Sequence, residues 1–166
     1  MKRAAIVTIV VGVAVMVSAP AAAQGAKAPK GKNLPAAVSQ AIQANRPGAE
    51  IDKLDVEKEN GIAFYDIEFK ANQGEMDIAE DGTILDIATI IDMKDVPDVV
   101  AAAITMHGKG RTIKQLSRSE VRAEIVKEAG KARIVKLATP RYVYEAEFSR
   151  GEIEIAADGK IIKIEK

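Results

Sequence analysis

Residues 60–82 carry the clearest structural signals of the chain and read NGIAFYDIEFKANQGEMDIAEDG. Asn60-Gly61 separates two β-prone runs, and an Asn-Gly pair there is typical of a type I′ hairpin turn, because both central residues need positive φ. Between Tyr65 and Phe69, apolar and acidic side chains alternate, which is the pattern of a strand with one buried face. Further turns at Asn72–Gly74 and Asp81-Gly82 complete the stretch. It therefore predicts consecutive antiparallel strands.

The same pattern returns later in the chain. Tyr144–Phe148 (YEAEF) resembles Tyr65–Phe69 (YDIEF), and Gly151–Gly159 (GEIEIAADG) resembles Gly74–Gly82 (GEMDIAEDG). Such self-similarity in the same order indicates an internal repeat. The strands are predicted at Glu50–Lys58, Ile62–Lys70, Glu75–Ala79 and Thr83–Ile91, and then around Thr112 and at Tyr142–Ser149, Glu152–Ala156 and Lys160–Glu165.

A helix is predicted before each set of strands. The first begins near Pro35, follows helical periodicity and ends at Pro47-Gly48, and the second covers Val96–His107. The predicted fold class is α+β, a tandem repeat of one helix packed on a four-stranded antiparallel sheet. Repeat 1 is assigned to residues 34–92 and repeat 2 to residues 96–166.

Repeat 2 contains an insertion, residues 117–137, with two interpretations. Ser117–Glu120 fits a helix capping box, and Val121, Ile125 and Ala129 could line a helix that ends at Gly130. Alternating apolar residues and a β-branched run from Ala132 to Leu137 instead indicate an extended hairpin that turns near Gly130. The hairpin is the favoured interpretation.

The N-terminus has the features of a secretory signal peptide. Lys2 and Arg3 precede an apolar run, and Ala21 and Ala23 satisfy the small-x-small rule for cleavage after residue 23. Residues 24–33 (QGAKAPKGKN) are predicted to be a disordered basic leader, since they have almost no large apolar side chain. We therefore expect a periplasmic or secreted protein with no membrane span after signal cleavage.

Composition excludes several classes of function. The chain has 24 Lys and Arg against 24 Asp and Glu, which gives no broad attraction to nucleic acid. It has no Cys, no Trp and a single histidine, His107. The chain therefore lacks the further residues that nucleophilic catalysis or a histidine-based zinc site would need beside His107. Gly108-Lys109-Gly110 is interpreted as a helix terminator, not a phosphate-binding loop. No enzyme activity, cofactor, catalytic residue or metal ligand is predicted.

Acidic side chains form the one candidate functional surface. They alternate with apolar residues on two predicted hairpins, so they should share the sheet face opposite the apolar side chains. Like charges on paired strands destabilise each other unless they are solvated, interleaved with cations or bound to a partner. A solvated face remains the ordinary interpretation. The candidate partner-binding face consists of Asp66, Glu68, Glu75, Asp77, Glu145, Glu147, Glu152 and Glu154.

The chain resembles the PepSY-like family, also described as like the β-lactamase-inhibitor protein. The resemblance lies in the Pro-led helices with a V-x-x-A-I stripe, Val38–Ile42 and Val100–Ile104, and in the Tyr-led, Gly-Glu and Asp-Gly strand motifs quoted above. It implies two tandem copies of an exported binding or inhibitory module that acts on a peptidase or another envelope protein. The alternative is a periplasmic sensor or scavenger of a divalent cation or small ligand.

Overall fold

The computed structural model describes residues 34–165, so the predicted signal peptide and basic leader lie outside the described residues. Two α-helices, α1 (Ala36–Asn45) and α2 (Asp98–Gly108), and a short 3₁₀ helix (Met93–Asp95) accompany eight strands. The strands are β1 (Ile51–Glu59), β2 (Ile62–Phe69), β3 (Glu75–Ala79), β4 (Ile84–Ile90), β5 (Ile113–Glu128), β6 (Lys131–Phe148), β7 (Glu152–Ala156) and β8 (Ile161–Glu165).

All eight strands belong to one antiparallel sheet, in which each strand pairs with the next along the chain. The predicted fold class, a tandem repeat of one helix on a four-stranded sheet, is therefore wrong. β4 pairs with β5 over Asp86–Ile90 and Ser117–Val121, so the two assigned segments contribute to a continuous sheet. The physical reason is that an unpaired strand edge leaves a row of N–H and C=O groups without partners, and a long β5 satisfies the edge of β4.

Each helix covers one part of the same sheet face. Val38 and Ile42 of α1 are buried with Ile67, Phe69, Met76 and Ile78 of β2 and β3. Val100 and Ile104 of α2 are buried with side chains of β5, β6 and β7 that include Tyr144, Phe148, Ile153 and Ile155. Both helices are too short to be stable alone, so their apolar faces depend on this packing. Neither helix is long and apolar enough to cross a membrane.

The turns follow the expected chemistry. Asn60 and Gly61 both have positive φ, 52° and 90°, which confirms the predicted Asn-Gly hairpin between β1 and β2. Ala129 and Gly130 form the β5–β6 turn with φ of 48° and 80°. Lys109 and Gly110 also have positive φ just after α2, so this segment terminates the helix as predicted.

The insertion in residues 117–137 is a hairpin, as favoured from the sequence. Its distal part, Ala123–Lys136, pairs only within the hairpin, because β4 ends its pairing at Val121 and β7 begins at Val143. We call Ala123–Lys136 the arm. The register shifts between Val121 and Ala123, where β6 contains additional residues that include Pro140. Such an irregularity bends the strand pair and redirects the arm.

A third apolar cluster lies on the sheet face opposite the helices. Leu85 of β4 is buried with Ala123 and Ile125 of the arm, and Ile62, Phe64 and Ile134 pack against them. No helix covers this face among residues 34–165, so the burial comes from the strands themselves. The sheet therefore closes on its own side chains at the arm end.

The electrostatics of Glu59 support the same curvature. Burial, and then repulsion by Glu124, raises the pKa of Glu59. Glu59 ends β1 and Glu124 lies on β5, four strands away, so a flat sheet would separate them by about 19 Å. Repulsion over that distance is weak, because charges are screened within about 10 Å at ordinary salt. The packing of Ile62 and Phe64 of β2 against the cluster that contains Ala123 and Ile125 of β5 shows that the sheet curls toward the face that bears this cluster.

Candidate functional site: the open face of the sheet

Strand alternation divides the side chains between two faces. The helix face carries the apolar residues under α1 and α2, and the opposite face, which we call the open face, carries the residues between them in sequence. All eight predicted site residues occupy open-face positions, since each alternates with a buried neighbour such as Ile67, Met76, Ala146 or Ile153. Whether this face binds a partner remains a prediction.

The first acidic cluster spans β2, β3 and β4. Asp66 pairs with Asp77, and Glu68 pairs with Glu75, so the four predicted acids of this half lie together in two cross-strand rows. Asp86 extends the first row, because it pairs with Asp77. Asp66, Asp77 and Asp86 are only 6%, 9% and 9% exposed, so this row lies on the floor of the face and not at its rim.

Lysine 53 compensates the edge of this cluster. Its Nζ lies 2.8 Å from Asp55 and 3.1 Å from Glu68. Asp55 pairs with Asp66 across β1 and β2, and Lys53 pairs with Glu68, so the same two rows continue to the sheet edge. Lys53 therefore forms its ion pairs at the exposed end of the rows, near the sheet edge, while the buried aspartates lie nearer the middle of the sheet.

The second acidic cluster spans β6, β7 and β8. Glu145 pairs with Glu154, and Glu147 pairs with Glu152. One carboxylate oxygen from each of Glu145, Glu152 and Glu154 lies within 4.8 Å of the others. This spacing is the geometry in which three carboxylates could hold a metal ion, but a cation of the chain already lies beside them.

That cation is Lys163 of β8, which pairs with Glu154. Its Nζ lies 3.5 Å from Glu152 and 3.7 Å from Glu154, and it also contacts Glu165. Burial alone would lower the pKa of Lys163, but the hydrogen bond to Glu165 and the surrounding carboxylates together raise it above its ordinary value. The second cluster thus contains a cation of its own, which its carboxylates outnumber.

Small side chains separate the two clusters. On β4 and β5, Ala88 pairs with Ser119, and Ser119 pairs in turn with Val143 of β6. Ser117 pairs with Glu145 beside them, and Ala88, Ser117 and Ser119 are buried. The eight predicted acids are therefore two groups on either side of a low, weakly polar floor.

Sequence reasoning missed Asp86 and Lys163, which complete the two clusters. Lys163 was detectable, because it alternates with Ile162 and Ile164 as the acids do with their neighbours. Asp86 was harder to assign, since a register shift between the pairs of Asp77 and Ile78 places Leu85 and Asp86 on the open face. Cross-strand pairing was required to find it.

The single histidine, His107, belongs to the end of α2. It is half-buried, and its carbonyl oxygen accepts a hydrogen bond from Arg111 at 2.9 Å. Arg111 also donates to the carbonyl of Gly108 and stacks 4.5 Å from the ring centre of Phe148. These contacts give the segment a structural role at the end of the helix.

Comparison with solved structures identifies the fold. A protein from Bacteroides eggerthii inferred to be periplasmic matches with a TM-score of 0.54 at 10% identity, covering 81% of this chain and 89% of that chain. A DUF2874 family protein from Bacteroides uniformis matches with a TM-score of 0.51 at 14% identity, covering 79% and 88%. The chain thus shares the fold of these proteins.

A BLIP-like protein from Bacteroides fragilis is more distant, with a TM-score of 0.43 at 12% identity over 78% of this chain and 83% of that chain. This TM-score is too low for the match to support the fold assignment. No protein-family profile matches the sequence, and no curated protein matches it. The PepSY-like assignment and the two tandem copies are therefore not confirmed.

Proposed function

We propose that this chain is a periplasmic, non-enzymatic module that binds a protein partner, a peptidase or another envelope protein, on the open face. The observation that carries the proposal is the form of this face, a sheet surface without a covering helix in residues 34–165, with a floor of small side chains between two acidic clusters. The predicted N-terminal signal peptide and the fold shared with proteins inferred to be periplasmic support the compartment.

The face suits a protein better than a small ligand. Ala88, Ser119 and Val143 are only 0%, 9% and 6% exposed, so the accessible part of the face consists mainly of the partly exposed carboxylates on either side, such as Glu68 and Glu147. A partner that presents Lys or Arg to these carboxylates would match this arrangement, and complementary charge increases both the rate and the specificity of association.

Catalysis has little support in the same geometry. Lys163 lies 3.5 Å from Glu152 and 3.7 Å from Glu154, so these two acids contact a cation of the chain itself. A protein-binding role requires only shape and charge, which the face provides.

A charge-reversal experiment tests the proposal. The mature chain, residues 24–166, is used as bait in a crosslinking pull-down from the native periplasmic fraction, with Glu68→Lys and Glu147→Lys as variants. These partly exposed acids belong to different clusters, and the exposed Asp95 of the 3₁₀ helix provides Asp95→Lys as the matched control. We expect one enriched protein that the control retains and that both face variants lose. Retention by both face variants would overturn the proposal.

Binding of a divalent cation is the alternative function, and the spacing of Glu145, Glu152 and Glu154 is the observation that favours it. Lys163 competes directly with such an ion, because its ammonium group lies among the same oxygens. A rise in melting temperature of the wild-type protein with added Ca²⁺ would support this alternative, and an unchanged melting temperature would oppose it.

A further inference from the structure

We infer that strand β8 binds a second copy of this chain, so that the two β8 strands run antiparallel and join two sheets into one. This inference does not depend on the proposed function. Within residues 34–165, β8 (Ile161–Glu165) is the last strand of the sheet and pairs only with β7. Alternate residues of such an edge strand direct their N–H and C=O groups away from the sheet, where another strand can bind them.

Comparison of two hairpins shows what β8 leaves exposed. The β3–β4 and β7–β8 hairpins share the same register shift, at which Leu85 and Ile162 are the additional residues. Leu85 is only 8% exposed, since β4 is flanked by β5 and Leu85 packs against Ala123 and Ile125. In contrast, Ile162 is 39% exposed and Ile164 is 49% exposed. A strand beside β8 would remove part of this apolar surface from water.

The opposite edge of the sheet is protected against such pairing. Six of the nine residues of β1 (Ile51–Glu59) are charged, whereas three of the five residues of β8 are isoleucine. Charged side chains on an edge strand discourage its pairing with another chain. Pairing of β8 with β1 of another copy would also leave a free edge at each end and grow into a filament, whereas pairing of β8 with β8 closes after two copies.

Charge selects the register of the two β8 strands. Directly opposite residues of an antiparallel pair lie on the same face, and like charges at such positions destabilise the pair. Registers centred on Lys163 or on Glu165 would place two lysines or two glutamates opposite each other. The register centred on Ile164 instead places Lys163 of each copy opposite Glu165 of the other, and Ile164 opposite Ile164. This register therefore combines two ion pairs with one apolar contact.

The same register improves the surroundings of Glu165. Within one chain, the residue directly opposite Glu165 is another acid, Glu152. The cation that Glu165 contacts, Lys163, is shared with Glu152 and Glu154. In the dimer a second lysine lies opposite Glu165 at about 5 Å, whereas the like charges of the second copy lie diagonally at about 7–8 Å or one strand further away. Attraction therefore exceeds repulsion, and salt screens the more distant charges further.

The contact is small, so the dimer should be weak. A strand of five residues buries much less than the roughly 1,600 Å² of a standard interface, and we expect a dissociation constant on the order of 100 µM. The two-fold axis is perpendicular to the sheet, because antiparallel pairing keeps the two open faces on the same side. The dimer thus leaves the candidate partner-binding face accessible in both copies.

Sedimentation velocity on residues 24–166 tests the association. The concentration is varied from about 5 µM to about 500 µM, below and above the expected dissociation constant. We expect a shift from monomer to dimer over this range. Glu165→Lys should raise the dissociation constant about tenfold, since it places a lysine opposite Lys163 twice in each dimer. Glu57→Lys, the same charge reversal on the edge strand β1, is the matched control and should dimerise like the wild type.

A cysteine variant locates the contact. The chain has no cysteine, so Ile164→Cys introduces a single thiol at the centre of the inferred pairing. The two Cα atoms would lie about 4.5–5.5 Å apart, within the range that a disulfide spans. We expect mild oxidation to produce a covalent dimer of this variant. Val56→Cys is the matched control on β1, where Val56 is 59% exposed, and it should remain largely monomeric.

Four results would overturn the inference. The first is a monomer at every concentration, and the second is species that continue to grow beyond the dimer, which would indicate pairing of β8 with β1. The third is unchanged association of Glu165→Lys in a protein whose circular dichroism matches that of the wild type. The fourth is equal disulfide formation by Ile164→Cys and Val56→Cys. Since no other protein is present, each of these failures leaves the pull-down result intact, and a failed pull-down leaves the dimer intact.

Discussion

Replacing Lys163 with methionine should destabilise the protein by about 2 kcal/mol at neutral pH. For charges 3.5 Å apart, Coulomb's law with an effective dielectric constant of about 20 gives roughly 4.7 kcal/mol before the cost of desolvating the lysine and ordering its side chain. Breaking a buried pair costs about 3–5 kcal/mol and breaking an exposed one about 0–1 kcal/mol. The side chain of Lys163 is 19% exposed, which places it between these limits.

Thermal unfolding followed by circular dichroism measures this change. A loss of about 2 kcal/mol corresponds to a decrease in melting temperature of roughly 8 °C for a domain of this size. Lys114→Met is the matched control, because Lys114 is 55% exposed and lies 3.8 Å from Glu147 of the same face. That exposed pair should contribute less than about 1 kcal/mol.

The pH dependence provides a second check with a definite sign. The pKa of Lys163 is raised in the folded state, so its contribution to stability is fully present below the unfolded lysine pKa of about 10.4 and is lost as pH rises through the folded value. The difference between wild type and Lys163→Met should be constant from pH 6 to about pH 9 and should shrink above about pH 10.5. Equal stability of the two proteins at pH 7 would show that the ion pairs of Lys163 do not stabilise the fold.

Three further predictions concern stability. Gly74→Ala should cost about 3 kcal/mol in chemical denaturation, because the added Cβ would lie 2.0 Å from the carbonyl oxygen of Ala88 at a φ of +87°. Ala129→Gly should stabilise the protein by about 1 kcal/mol in the same assay, since it relieves positive φ at the tip of the arm. Glu59→Gln should stabilise the protein at pH 7 by about 0.5 kcal/mol, discounted for partial exposure, because burial and Glu124 raise the pKa of Glu59. Measured by thermal unfolding, that gain should shrink as pH falls through this raised pKa.

Matched substitutions distinguish these effects from general strain. Gly61→Ala shares the positive φ of Gly74, but its Cβ would meet nothing within 4 Å, so it should cost only about 1 kcal/mol. A similar cost for both glycines would contradict the close approach to β4. Gly130→Ala should destabilise the turn that Ala129→Gly improves. For Glu59→Gln, a stability difference that is unchanged down to pH 4 would contradict the assigned cause.

The sequence predicted local structure well because the signals were local. Asn60-Gly61 determined a two-residue turn, alternation between Tyr65 and Phe69 determined which side chains face the helices, and the run before Gly130 indicated the hairpin. Each signal depends on neighbours within a few residues. The same alternation predicted that the eight acids share one face of the sheet.

Pairing between β4 and β5 could not be predicted in the same way. A complete helix separates Ile90 from Ser117, and nothing in either strand specifies a partner so distant in sequence. The burial of Asp66 and Asp77 could not be predicted either, because strand alternation places both on a face without distinguishing a buried acid from a solvated one. The acidic rows depend on which residues face each other on paired strands, so the structure was needed to identify them.

Position-specific photo-crosslinking can locate the surface that binds the partner. A photoreactive residue is placed at Glu68 or Glu147 on the open face, and at Val99 or Met106, which are exposed on α2. After irradiation in the periplasm, we expect both open-face positions to join the same protein and neither helix position to do so. Crosslinking of that protein from Val99 or Met106, with none from Glu68 and Glu147, would show that the partner does not bind the open face.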